Sequence, residues 1–364
     1  MTSKRVVHVL GAMNAGGTEA WLMALLRNTD RTLIQHDFIV HSYEKGFYDD
    51  EIKLLGGNIY PISFSKNPIK YFFNLYNLFK KLNPDVVHSH VHVFSGLVLL
   101  VAFIAGVTNR ISHSHTDLSV QQQGYNLIRR VYWKIMQKLI LVFATTKIAV
   151  SQKAALNLYG ESYKGQKSCL IMPCGIDLKK YDKKNKDINM RKEFGLPDDA
   201  FVLGHVGRFE ESKNHDFLID LLYEIRKVNP NVYLVLVGDG TLKEKIEKKV
   251  KNLDLEPYVI FTGLRKDVPI IMLSVFDVFL FPSFYEGLGL VAIEAQLSGL
   301  RSICSKFIPE EVDLGRVKFC KDFDINTWIN FIQSSNIPPL SSNKEDFSIN
   351  DNMVILHTIY KGGV

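Results

Sequence analysis

Glu286 and Glu294 stand in the run Phe281-Pro282-Ser283-Phe284-Tyr285-Glu286-Gly287-Leu288-Gly289-Leu290-Val291-Ala292-Ile293-Glu294-Ala295. A β-rich stretch leads into the run and an apolar helical stretch follows Gly289. Glu286 therefore falls at the tip of a turn, and Glu294 about two turns into a helix. A carboxylate enclosed in an α/β cleft is costly unless it is hydrogen-bonded, and sugar hydroxyls are suitable donors. One carboxylate on the loop and one on the helix can bind two polyol rings of a single ligand. The helix N-terminus between them, with free N–H groups and a positive dipole end, suits the anionic link joining those rings.

A second constellation is Gly204-His205-Val206-Gly207-Arg208-Phe209-Glu210-Glu211-Ser212-Lys213-Asn214-His215. Strand character ends at Gly207, and two cations follow before a helix. Arg offers a planar fork of donors and Lys a compact point charge, a pairing suited to a diphosphate. The third is Arg110-Ile111-Ser112-His113-Ser114-His115-Thr116. The period of two in a strand puts His113 and His115 on one side, as a metal pair, a polar wall, or one functional His beside a structural one. No third ligand lies nearby in sequence, so no metal is expected. The fourth, Gly11-Ala12-Met13-Asn14-Ala15-Gly16-Gly17-Thr18-Glu19, lets backbone approach a ligand at a helix N-terminus. It is not a GxGxxG dinucleotide fingerprint, and no acid ends the second strand to take a ribose.

These groups need elements to hold them. Strand-like runs cover residues 6–10, 38–41, 85–90, 110–115 and 147–151, with helical runs at 19–27, 69–82 and 126–143 between them. The order recurs with strands at 201–206, 232–238, 259–263 and 278–282 and helices at 215–227, 242–253 and 290–298. Such alternation predicts parallel sheets covered on both faces by helices. A length of 364 residues suits two domains. Turn and lysine-rich sequence near 165–200 divides residues 1–165 from 166–342, and a helix within 343–364 is a candidate to complete the first domain. In open α/β sheets ligands sit beyond the carboxyl ends of the strands, where all four constellations lie.

Hydrophobic residues make up 46% and charged residues 23%, which excludes a disordered chain. Cys169, Cys174, Cys304 and Cys320 form no CxxC pair and read as reduced thiols of a cytosolic protein. The N-terminal apolar run is too short for a signal peptide. The longest apolar run, 96–107, is short of the ~20 residues a membrane span needs and reads as a buried helix. Residues 1–165 hold 18 Lys/Arg against 10 Asp/Glu, whereas residues 166–364 hold 26 against 28. A basic first half points to an anionic partner. No nucleic-acid motif is present, which leaves a membrane surface or a merely solvated basic face. In 126–143, Arg130, Lys134 and Lys138 form one line on a helix beside Tyr132, Trp133 and Met136, a pattern suited to the headgroup plane.

The E-x7-E pattern inside PSxxEGxGxxxxEA, preceded by GRxxxxK, resembles the donor-binding domain of family-4 retaining glycosyltransferases of the GT-B fold. The resemblance extends over nearly the whole chain, through GGTE, RISHSH and GLRKDVPIIMLSVFDVFLFPS. It is greatest to members that assemble exopolysaccharide, capsule or O-antigen repeats. It implies two Rossmann-like, doubly wound parallel-sheet domains facing each other across a cleft. It further implies retaining transfer of a hexose or N-acetylhexosamine from a nucleotide-diphosphate sugar, by default a UDP-sugar, to a lipid-linked acceptor. The place implied is the cytoplasmic face of the membrane.

By resemblance, Arg208 and Lys213 hold the diphosphate, with Gly16, Gly17 and Leu290 beside it. Gly287, Leu288 and Gly289 meet sugar and phosphate through backbone, Glu286 contacts the donor sugar, Glu294 the ribose, and Leu264 and Arg265 the base. Glu286 and His115 are the catalytic candidates. No cofactor or metal is implied, and no Asp-x-Asp ends a strand; Asp322 and Asp324 fall in a late region read as helical. Leu288 departs from the commoner Phe, and the chain end lacks a long charged helix. Three other functions remain open: a sugar-nucleotide epimerase of the same architecture, an NAD-dependent oxidoreductase and a non-catalytic scaffold.

Overall fold

The computed structural model describes residues 3–63, 67–334 and 338–362. They form two compact units, Met1–Gly175 with Ile349–Val364, and Ile176–Ser348. The first is built on β1 Lys4–Leu10, β2 Ile34–Val40, β3 Asn58–Pro61, β4 Val86–Ser89, β5 Asn109–Ser114, β6 Thr146–Ala149 and β7 Cys169–Ile171. They pair in the order β3-β2-β1-β4-β5-β6-β7, all parallel. The second unit holds β8 Phe201–Val206, β9 Val232–Val237, β10 Val259–Gly263, β11 Val278–Phe281, β12 Arg301–Ser305 and β13 Val317–Cys320. Their order is β10-β9-β8-β11-β12-β13, again all parallel. Central strands such as β1 and β11 are apolar runs because both faces are covered.

Four strands do not announce themselves in sequence. β3, β7 and β13 are short edge strands with one neighbour each, so half their surface is free to be polar. β12 is internal but reads Arg-Ser-Ile-Cys-Ser, and its Ser302 and Ser305 are buried. β7 also corrects the boundary: it pairs with β6, so the first unit runs to Gly175 and not to residue 165. Asp322 and Asp324 are not helical; Asp324 caps the helix Ile325–Gln333 by accepting from the Thr327 N–H.

The helix Ile349–Tyr360 belongs to the first unit. Asn352 Oδ1 accepts from Trp21 Nε1 at 2.8 Å and from the Gly175 N–H at 2.6 Å, and the Asn109 amide donates to the Ile359 carbonyl. Most of the apolar run at 96–107 lies in the helix Ser95–Ile104, which is largely buried, with Leu97 and Leu100 half-buried and Phe103 and Ile104 exposed at its end. It crosses the helix Leu127–Phe143 at Gly96, where a Cβ would lie 2.3 Å from the Met136 carbonyl oxygen. Among the described residues no helix is long and apolar enough to cross a membrane.

Leu127–Phe143 buries only Ile140 fully. Ile128, Val131, Tyr132, Ile135 and Val142 are exposed, Ile128 by 81%, alongside Lys134 and Lys138. Trp133 does not join this outer face as expected. Its ring packs on Tyr125 and His92, because the helix turns that side toward its own unit.

Candidate functional site

In the second sheet β8 and β11 are neighbours although β9 and β10 intervene in sequence. That reversal of strand order is the position where open α/β sheets bind ligands. The loops leaving the two strands carry the expected groups. Lys213 and Glu286, 73 positions apart, meet there as an ion pair. Their side chains are only 20% and 14% exposed, so the contact is sheltered rather than a solvated surface pair.

The floor under Lys213 is neutral and aromatic. Its Nζ lies 5.1 Å from the Phe281 ring centre. His205 donates from Nδ1 to the Leu280 carbonyl at 2.8 Å, and burial pushes its pKa down to about 4. His215 stacks on Phe209 and burial drives it down to about 2, with His205 and Lys213 adding to the effect. Two uncharged imidazoles thus leave Lys213 as the cation of this corner. A Cβ on Gly207 would come within 2.8 Å of His205 Nε2 and 3.4 Å of Lys213 Cδ, so glycine lets the chain pass between them.

Arg208 does not share a partner with Lys213. Its Nη1 lies 3.1 Å from Glu210 Oε1, half exposed. Each cation is held by its own carboxylate. Gly289 caps the helix Leu290–Leu297 at φ +91°, a left-handed conformation that favours glycine. Gly287 and Leu288 are buried. Glu294, on that helix, has its pKa raised by burial, opposed by a hydrogen bond from Tyr181 and by Lys180. Tyr181 and Lys180 come from the turn Leu178–Tyr181, which reads in sequence as a plain connection. Leu264 is 44% exposed, while Arg265 is bound to Asp267 through Nε at 2.8 Å.

Gly16, Gly17 and His115 lie on the first unit. Gly16 caps the helix Gly17–Asn28 in extended conformation. His115, half-buried like His90, is one of a histidine array that single-motif reading did not find. His8 stands on β1, His36 on β2, His88 on β4, His90 just beyond it, and His113 on β5. In-register pairing, His8 with His88 and His88 with Ile111, turns all these rings to one face. The available signal was the His-x-His repeat at 88–90 and again at 113–115.

Hydrogen bonds link Cys174 Sγ to His115 Nδ1, His115 Nε2 to His90 Nδ1, His90 Nε2 to His8 Nδ1, and His8 Nε2 to His36 Nδ1. His36 Nε2 ends on Thr29 Oγ1, which itself donates to the Leu25 carbonyl. Thr29 must therefore accept from His36, and this assigns the Nε2–H tautomer to each ring of the chain. Burial holds all four imidazoles well below their ordinary pKa. Both nitrogens of His115 are thus occupied within its own unit.

The chain matches the model for glycosyl transferases group 1 over residues 186–314 and that for glycosyltransferase family 4 over residues 15–180. It is 31% identical to CapH of Staphylococcus aureus, a capsular polysaccharide biosynthesis glycosyltransferase, over 96% of this chain and 94% of that one. The chain belongs to the family-4 glycosyltransferases. This family-4 chain is also 36% identical to EpsF of Bacillus subtilis (strain 168), assigned as a glycosyltransferase, over 86% of this chain and 82% of that one. An Escherichia coli relative, UDP-Gal:α-D-GlcNAc-diphosphoundecaprenol α-1,3-galactosyltransferase, is 31% identical over 65% of this chain and 62% of its own. Among solved structures, Anabaena HepE in complex with UDP and glucose superposes with a TM-score of 0.74 at 18% identity, covering 98% of this chain and 97% of that one. Sucrose-phosphate synthase from Thermosynechococcus elongatus gives 0.77 at 18% identity, covering 99% of both chains. These likenesses establish the GT-B fold, and the relatives place the chain among glycosyltransferases of polysaccharide biosynthesis.

Proposed function

We propose that this glycosyltransferase moves a hexose or N-acetylhexosamine from a UDP-sugar, with retention of configuration, to a lipid-linked saccharide of a surface polysaccharide. The observation that carries the reading is the meeting of Lys213 and Glu286 at the switch point of the second sheet, beside a glycine-capped helix N-terminus. A UDP-sugar donor is supported by the UDP-bound HepE structure, and a lipid-linked acceptor by the E. coli relative's diphosphoundecaprenol substrate.

In this reading Arg208 and Lys213 leave their carboxylates for the diphosphate. Glu286, released from Lys213, accepts from hydroxyls of the donor sugar. The N–H groups of Gly287 to Leu290 meet sugar and phosphate, Glu294 and Tyr181 take the ribose, and Leu264 and Arg265 border the base. As the glycosidic bond breaks, charge develops on the leaving diphosphate, and the two cations with the helix N-terminus stabilise it. That division of labour asks for no metal at the diphosphate. The family resemblance also gives Gly16, Gly17 and His115 to the reaction. With both its nitrogens occupied, His115 is given no proton to transfer. The basic, apolar outer face of Leu127–Phe143 is assigned to the anionic cytoplasmic surface of the membrane.

Thermal unfolding with UDP tests the core of this reading. UDP is expected to raise the Tm of the second unit in wild type, and Arg208→Ala with Lys213→Ala to abolish the rise. Release of UDP from UDP-sugars in the presence of membrane extract should persist when Mg2+ and Mn2+ are omitted. Protection of the double variant equal to wild type would remove the diphosphate assignment.

A further inference from the structure

The histidine array of the first unit has an inner geometry that a polar core does not require. One ring nitrogen from each of His90, His113 and His115 lies within 4.8 Å of the other two. Outer partners already hold the opposite nitrogen of each ring. His90 Nε2 is 3.0 Å from His8 Nδ1, His113 Nδ1 is 3.2 Å from His88 Nε2, and His115 Nδ1 is 3.6 Å from Cys174 Sγ. This leaves His90 Nδ1, His115 Nε2 and His113 Nε2 as the inward set. The first two are 2.9 Å apart, sharing one proton. The third is fully buried and has no hydrogen-bond partner.

We propose that His90, His113 and His115 bind a first-row divalent transition cation of the imidazole-preferring kind, represented by Zn2+. Two imidazoles on a tetrahedral Zn2+ at about 2.0–2.1 Å stand roughly 3.3 Å apart, so the 2.9 Å pair needs to open by only a few tenths of an ångström. Metal-bound histidines characteristically donate their second N–H to an outer partner, which fixes ring and tautomer. Here His8, His88 and Cys174 fill those places. Binding requires His115 to move its proton from Nε2 to Nδ1, with the Cys174 sulfur changing from donor to acceptor; the rings stay neutral and no proton is lost. His8, His88 and His90 form a second group of close nitrogens, but two of its rings are fully buried. His90 and His115, by contrast, keep some exposed surface. Three protein ligands leave a fourth position open.

The test uses the full-length chain, stripped with a chelator and dialysed. Zn2+ titrated in competition with a chromophoric chelator should bind at one equivalent, and Co2+ should give visible bands of a low-coordinate nitrogen site. His113→Gln should weaken Zn2+ by more than about 100-fold and Cys174→Ser by about 10-fold, with His357→Gln unchanged. X-ray absorption of the Zn2+-loaded wild type should show three imidazoles, a readout independent of whether any variant folds. No bound equivalent, unaltered affinity in a folded His113→Gln, or absorption without imidazoles would overturn the proposal. None of these measurements depends on glycosyl transfer.

Discussion

At the residue scale, the two glutamates of one motif meet different environments, and their variants should diverge. Glu286 is neutralised by Lys213. Removing it as Glu286→Ala frees the lysine, so affinity for free UDP should hold or rise while kcat with the donor falls by at least about 100-fold. Glu294→Ala should instead weaken UDP itself by about tenfold or more, the loss of a charged hydrogen-bond partner to ribose. Calorimetric UDP binding set beside turnover separates the two, and an equal loss of UDP affinity in both would contradict the assignment. Glu294 adds a pH signature. Its carboxyl is raised above 4.5 by burial, so the folded state holds the proton more tightly than the unfolded chain. The ionised group then costs stability above that range, and the cost vanishes as pH falls below it. Glu294→Gln should accordingly raise Tm at pH 7 and lose that gain near pH 4, while still impairing UDP. A stabilised protein with weakened ligand binding is the trade expected where a buried charge serves function.

At the element scale, Leu127–Phe143 is the helix whose sequence exceeds what packing needs. No acidic residue occurs between Asp117 and Glu161. Its outer stripe of Ile128, Val131, Ile135 and Val142 runs beside Lys134 and Lys138. Arg130, expected in the same cationic line, is partly drawn back: its Nε donates to the Tyr125 carbonyl at 2.8 Å. An anionic surface contributes about 1 kcal/mol per nearby cation, and the apolar stripe adds burial. In vesicle flotation the protein should rise with anionic vesicles, less so as salt increases, and little with neutral ones. Ile135→Asp with Lys134→Ser and Lys138→Ser should cut the floated fraction at least about fivefold. Flotation of that variant at the wild-type level would reduce the helix to ordinary surface.

At the scale of the whole molecule, the two units should report separately. Asn352 is buried and satisfies both the Trp21 indole and the Gly175 N–H. Asn352→Leu strands two buried donors, each costing about 1–3 kcal/mol. Differential scanning calorimetry should show the first unit's transition lowered by several degrees and the second unit's UDP-protected transition in place. Loss of UDP protection in this variant would mean that the units do not melt as separate bodies.

The alternation of short apolar runs with amphipathic ones was sufficient to determine two parallel α/β sheets, because that periodicity is local and each segment carries it. The motifs around Glu286, Glu294, Arg208 and Lys213 were legible for the same reason: each is a strand end, a turn and a helix start read in one stretch. What remained hidden was set by distance along the chain. Edge strands β3, β7 and β13 need only one neighbour, so their sequences carry little apolar signal. The Lys213–Glu286 pair and the Tyr181 contact to Glu294 join segments whose proximity follows from strand order. The histidine array is the fullest case. His8, His36, His88, His90, His113 and His115 are scattered over more than a hundred residues, and only β2-β1-β4-β5 pairing in register places their rings on one face. Tyr360, near the chain's end, returns to put its hydroxyl 2.9 Å from His88 Nδ1. Tertiary structure alone decided these meetings, because a side chain's partner across a sheet is chosen by strand order and register, which no local spacing encodes.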